Sequence, residues 1–239
     1  MLCFVGIDLG RESAPNATTS LKFRHLLEAN GLTLQIFETI NVYLAEKSLM
    51  MREGAIVDVT LSAAPPSTKN QDGKRAPEML QSKKGNAWHF GVMTNVGVNA
   101  ASCLVYPVIG TAGNVADVTR AHALLHGDEA AELCDAGYSD VEKRSENIGK
   151  SVAWHMVMKR SKRKARPNSR SKLGCLTEKL KPQKVSVQAK VEHPEPVPSC
   201  KTRYRGLAKN AAQLFKLFAF TNLLLAGRRF AITESRSKS

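Results

Sequence analysis

Residues 54–65 read GAIVDVTLSAAP, and the aspartate inside that run governs how the rest of the chain is understood. Ile56, Val57 and Val59 are β-branched and Leu61 is apolar, so the spacing predicts a strand over Ala55–Leu61, ended by Pro65 and Pro66. Asp58 sits among these residues. A carboxylate in an apolar strand must be solvated, paired or bound to a cation, because burying it bare is costly. A second aspartate, Asp135, ends another apolar run just before Ala136-Gly137. If two such strands are adjacent, their carboxylates meet at one edge and repel, and a divalent ion such as Mg²⁺ relieves the repulsion. The alternative is that each is an ordinary strand-end or turn aspartate, and position alone leaves both readings open.

Upstream of that strand the period is helical. NATTSLKFRHLLEAN (16–30) predicts a helix capped by Thr18 or Thr19, with Leu21, Leu26 and Leu27 on one side and Asn30-Gly31 as its end. LTLQIFETINVYLAEK (32–47) carries Leu34, Phe37, Ile40 and Leu44 at helical spacing. Downstream, residues 65–86 read as a long polar, basic loop. AWHFGVMTNVGVNA (87–100) and SCLVYPVIGTA (102–112) are β-rich runs joined by a hairpin at Asn99–Ser102. Trp88 and Phe90 alternate and are expected to pack one face of the sheet, Trp154 is expected in a core or interface, and Pro107 marks an edge or bent strand. Residues 114–127 predict a helix capped by Asn114 and closed by Gly127, and AAELC (130–134) a short strand. The order strand, hairpin, helix, strand, helix is a mixed α/β plan.

The chain has 239 residues and a formal net charge of +14. Lys159–Lys184 is a run of Lys and Arg with Glu178 as its only acid, a field that attracts polyanions, nucleic acid first among them. The same run also fits a solvated, partly disordered tail. No RNP or KH pattern points to RNA. The five cysteines form no C-x-x-C pair and no secretory leader is evident, so they read as free thiols in a reducing cytosol. LFKLFAFTNLLLAG (214–227) is interrupted by Lys216 and Asn222 and is too short and polar to span a bilayer. His122 and His126 are spaced like helical zinc ligands, but no acid lies between them as in H-E-x-x-H.

Several blocks together carry a resemblance: residues 54–91, GTAGNVADVTRAHALLHG (110–127), DAGYSDVEKR (135–144) and RYRGLAKNAAQLFKLFAFTNLLLAGRR (203–229). In this order they resemble the catalytic core of bacterial DDE transposases of the insertion-sequence five group. The resemblance implies a ribonuclease H-like core over 51–230 with flanking helices, a helical remnant of an N-terminal region over 1–50 and a disordered tail over 231–239. A basic, partly disordered segment is expected at 159–190. Asp58 matches the family's first acid, Asp135 the second and Glu192 the third, in KVEHP (190–194). The implied chemistry is two-metal phosphoryl transfer with Mg²⁺ or Mn²⁺, cutting and joining DNA strands. Double-stranded DNA, as transposon end and target, is then the partner. Lys69, Lys74, Arg75, Lys83, Lys84, Arg203 and Arg205 are the expected phosphate-binding residues. The resemblance further implies a homo-oligomer when active, located in the bacterial cytoplasm at the nucleoid.

The chain also departs from the family pattern. The signature around the third acid, Tyr-x₂-Arg-x₃-Glu-x₆-Lys, falls here on Val185, Gln188, Glu192 and Ser199, so only the glutamate remains. Pro194, Pro196 and Pro198 follow it and forbid a continued helix. Met93, Asn95 and Asn99 stand where relatives commonly carry Lys, His and Asp. The opening MLCFVGIDLG begins without a cap, as expected of a chain missing its front.

Overall fold

The computed structural model describes residues 15–49, 55–69, 73–84, 86–100, 102–125, 131–134, 136–138, 140–149, 152–156 and 201–237, with backbone alone at 55, 84, 131, 136 and 230–237. Asp135, Glu192, His126 and the basic segment 159–190 lie outside these residues.

Helix α1 spans Ala17–Ala29 and α2 spans Leu32–Glu46. The cap of α1 is Asn16 rather than the expected Thr18 or Thr19. Its side chain accepts from the Thr19 backbone N–H at 2.8 Å and from the Thr19 hydroxyl at 3.0 Å, so the threonine is a donor to the cap. Leu21 and Leu26, expected beside Leu27 on the buried side, are instead 45% and 55% exposed. Gly31 turns the chain between the helices in the left-handed region at φ 63°, where a side chain is strained. Helix α2 buries Phe37 and Leu44 as expected of its spacing, while Leu34 is exposed. Phe37 meets Phe215 of the long C-terminal helix α3 (Leu207–Ser237) with ring centroids 6.0 Å apart.

The six strands are β1 (Ala55–Ala63), β2 (Leu80–Lys84), β3 (Ala87–Asn99), β4 (Val105–Ala112), β5 (Ala131–Cys134) and β6 (Ala153–Met156). Their order is β2-β3-β1-β5-β6, with β4 also on β3. Pairings within β1–β4 are antiparallel, while β1–β5 and β5–β6 are parallel. This mixed sheet with flanking helices is the α/β plan expected of a ribonuclease H-like core. One edge of β3 is shared, its first residues pairing with β2 and the rest with β4. β4 is therefore an edge strand, as Pro107 suggests, and the register shifts between Val96 and Val98, opposite that proline. Gly97 lets the proline fit, since a Cβ there would stand 2.5 Å from Pro107 Cγ.

Four further expectations are corrected. Residues 114–125 form two short 3₁₀ turns, Asp117–Thr119 and Ala121–Leu124, in place of an α-helix. Ala116 is extended at ψ 132°, and burying Ala121 and Leu124 satisfies the apolar spacing within a single turn. The loop expected over 65–86 contains β2, which β3 recruits by backbone pairing despite its polar sequence. Trp88 is 67% exposed at the outer end of that pair, while Phe90 packs beside Ala64, Met79 and Val92. β1 runs two residues beyond its expected end, because Ser62 and Ala63 continue the pairing with β3.

The core lies on both sheet faces. Ile56, Val96, Val98 and Val105 pack against Phe37, Leu214 and Phe218 of the helices. Val57, Cys134 and Tyr138 pack on the opposite side against Ala121, Leu124 and Val141. Each fully buried residue of this kind contributes about 1.5–3 kcal/mol. Asn222, which interrupts the apolar run of α3, is fully buried as a clamp. Its Oδ1 accepts from the Val105 N–H at 2.9 Å, and its Nδ2 donates to Val105 O and to Asn41 Oδ1 of α2. The hairpin at Asn99–Ser102 forms as expected, with Asn99 Oδ1 accepting from the Ser102 N–H at 2.7 Å and from its hydroxyl at 2.9 Å. Among the described residues no helix is long and apolar enough to cross a membrane.

Candidate functional site

β1 is the central strand, with β3 antiparallel on one side and β5 parallel on the other. The parallel register runs Ala55↔Glu132, Ile56↔Leu133, Val57↔Cys134. The next residue on β1 is Asp58, half-buried and opposite Val96 of β3. In sequence the next residue after Cys134 is Asp135. Strand alternation gives Asp58 the face of Ile56, towards α3, and Leu133 packs on that same side.

The opposite face of the sheet carries acidic groups. Tyr138 is pushed well above the ordinary tyrosine value, by burial first and then by the negative charges of Asp117, Cys134, Asp58 and Glu132. Glu132 is completely buried. Among the described residues no three His, Cys, Asp or Glu side chains converge on one point. Of the three expected acids, only Asp58 falls among the described residues.

The basic residues are gathered by tertiary contacts. Lys201 forms an isolated parallel bridge with Ala63 at the end of β1, and the Thr202 N–H donates to Ala63 O at 2.8 Å. Residues 201–205 are thereby set against the loop that follows β1. Arg205 donates to Lys74 O at 3.3 Å, and Glu78 Oε2 accepts from the Leu207 N–H at 2.6 Å, capping α3 from that loop. Lys69, Arg203 and Arg205 line one cleft of about 270 Å³. Arg75 borders it, with Nε donating to Pro66 O at 3.1 Å and its guanidinium 5.7 Å from the Phe90 ring centre. Tyr204, between the two arginines, is covered by the Arg24 guanidinium of α1 at 4.2 Å from its ring centre.

Five of the expected phosphate-binding residues, Lys69, Lys74, Arg75, Arg203 and Arg205, thus share one side. Lys83 does not join them: it lines a different cleft of about 430 Å³ with Val59, Leu61 and Asp117. The Lys84 side chain lies outside the described residues. Sequence reasoning passed over Lys201 and Thr94, which line a third cleft of about 210 Å³ together with Arg203. Lys201 could have been found from its place in the basic run KTRYR, whereas nothing in the sequence singles out Thr94.

Residues 50–194 match the family model described as the transposase DDE domain, a span of well over half the chain. Transposition-related DNA cleavage, generally with divalent metal ions, is the chemistry of such domains. The mixed sheet, the central Asp58 and this match agree, and the chain belongs to the transposase DDE domain family.

Proposed function

We propose that this chain is an insertion-sequence transposase that cleaves and transfers DNA strands, with Asp58, Asp135 and Glu192 as the metal-binding acids. The observation that carries the reading is the register Val57↔Cys134, since the residues that follow these two in sequence are Asp58 and Asp135. Leu133 and Ile56 share a face, and alternation along β1 puts Asp58 on that face too. Bound Mg²⁺ or Mn²⁺ would activate water or a 3′-hydroxyl and steady the leaving oxygen. The protein's own part is to hold the strand: Lys69, Lys74, Arg75, Arg203 and Arg205 form a cationic flank that positions phosphates with little sequence preference. Double-stranded DNA is the substrate, and the active species is a homo-oligomer.

A second reading is a non-catalytic DNA-binding remnant. It is favoured by the three prolines after Glu192 and by the loss of the signature positions at Val185, Gln188 and Ser199. Magnesium- or manganese-dependent nicking of a terminal-repeat duplex separates the two. Nicking lost in Asp58→Asn supports the transposase, whereas tight binding with no nicking at all supports the remnant.

A further inference from the structure

We infer that a metal-independent phosphodiester site lies beside Asp58, in the cleft between the end of β1 and the start of α3. It rests on the transposase reading above and deepens it by naming where the strand backbone is gripped. The cleft, about 210 Å³, is lined by Ser62, Thr94, Lys201, Thr202, Arg203 and Gln213, among others. Thr94 of β3 pairs with Thr60 of β1 and lies two residues from Val96, which faces Asp58. That separation is about 7 Å along the strand, on the same face of the sheet.

Thr94 is 1% exposed, and its hydroxyl has no hydrogen-bond partner among the described residues. The buried Thr202 hydroxyl likewise has none. Burying a hydroxyl unpaired is unfavourable, and a fold that keeps two of them at one cleft is organised for something that accepts from both. Lys201 and Arg203 border the same space, so that acceptor is an anion. A phosphate group has enough oxygens to take two hydroxyls and two cations together.

The frame around the cleft is preorganised. Asn210 Nδ2 donates to Tyr204 O and Gly206 O, each at 2.7 Å, and its Oδ1 accepts from the Tyr204 N–H at 3.2 Å. These bonds fix the turn that follows Arg203. The first amide of α3, at Leu207, is already taken by Glu78, so that donor is not free for the anion, and the groups lining the cleft are side chains of Thr94, Lys201, Thr202 and Arg203.

The test uses the full chain in EDTA, with inorganic phosphate and a short duplex as separate probes. Phosphate is expected to shift the NMR signals of Thr94, Thr202 and Arg203, and the duplex to compete with it. Thr94→Val is expected to weaken duplex binding about five-fold while melting at the same temperature or higher, because the lost hydroxyl has no hydrogen-bond partner among the described residues. Arg203→Gln, an exposed change that leaves the fold intact, is expected to weaken it about ten-fold. Duplex binding at wild-type strength in both variants would overturn the proposal. So would phosphate shifts confined to other residues, or phosphate binding at Thr94 that the duplex does not displace, which would assign the cleft to a free phosphorylated ligand. Asp58→Asn retains the phosphate response, so failure of the carboxylate reading is distinguishable from failure of this one.

Discussion

Val57 of β1 pairs in parallel with Cys134 of β5, and in sequence each of these residues is followed directly by an aspartate. The first prediction is that a divalent cation binds there. Titration with Mn²⁺ is expected to broaden the amide signals of Val57, Val96 and Cys134 before those of α2. Asp58→Asn should weaken the ion at least about ten-fold, since even a supporting group around a metal is worth that much. Broadening that begins elsewhere would remove Asp58 from the site.

Asn222 holds β4, α2 and α3 together through one amide. Asn222→Leu leaves the Val105 N–H and C=O without that partner in a fully buried place. The expected loss is about 2–4 kcal/mol in urea unfolding, from the cost of unpaired buried groups. A loss below about 0.5 kcal/mol would show that water reaches the position.

Tyr138 gives the fold an alkaline limit. Its folded pKa is raised, by burial above all, whereas in the unfolded chain it ionises at the ordinary value of about 10. The protonated form is common to both states below about pH 10, so its contribution is fully present there and declines as the pH rises further. Tyr138→Phe also removes a buried hydroxyl that has no hydrogen-bond partner among the described residues. The variant should equal or exceed the parent at pH 7 and should hold its stability better at pH 11. Identical alkaline profiles would refute this.

The basic flank predicts an unequal salt response. Lys69 lines the cleft of Arg203 and Arg205, while Lys83 lines the cleft on the other side. Lys69→Gln should lower the slope of log K against log salt by about 0.9, the value for one phosphate contact. Lys83→Gln should leave the slope unchanged. Equal effects in the two variants would mean that the DNA covers both faces.

Much of this was legible in the residues, for reasons that differ by place. β-branched alternation marks β1 and the hairpin, and an acid inside an apolar strand marks Asp58. Pro107 correctly signals an edge, because a missing donor is a local property. Residues 114–125 misled because buried Ala121 and Leu124 have the same spacing in a 3₁₀ turn as in a helix. β2 escaped notice because its pairing comes from β3 rather than from its own polar sequence. Lys69 and Arg203 are far apart in sequence, and tertiary contacts, among them the bridge of Lys201 to Ala63, bring their segments together. Thr94 and Thr202 are common residue types whose distinction is a buried hydroxyl with no partner among the described residues, a property that exists only after folding.

The central claim is that Asp58 belongs to a metal-dependent DNA-cleaving centre. Its most direct test is nicking of a terminal-repeat duplex by the intact chain in Mg²⁺ or Mn²⁺, against EDTA and against Asp58→Asn. The account predicts metal-dependent nicking by the parent that falls at least about a hundred-fold in the variant, the scale of losing an essential electrostatic group at the reacting centre, while duplex binding in EDTA persists. Equal nicking by parent and variant, or nicking that survives EDTA, would contradict it.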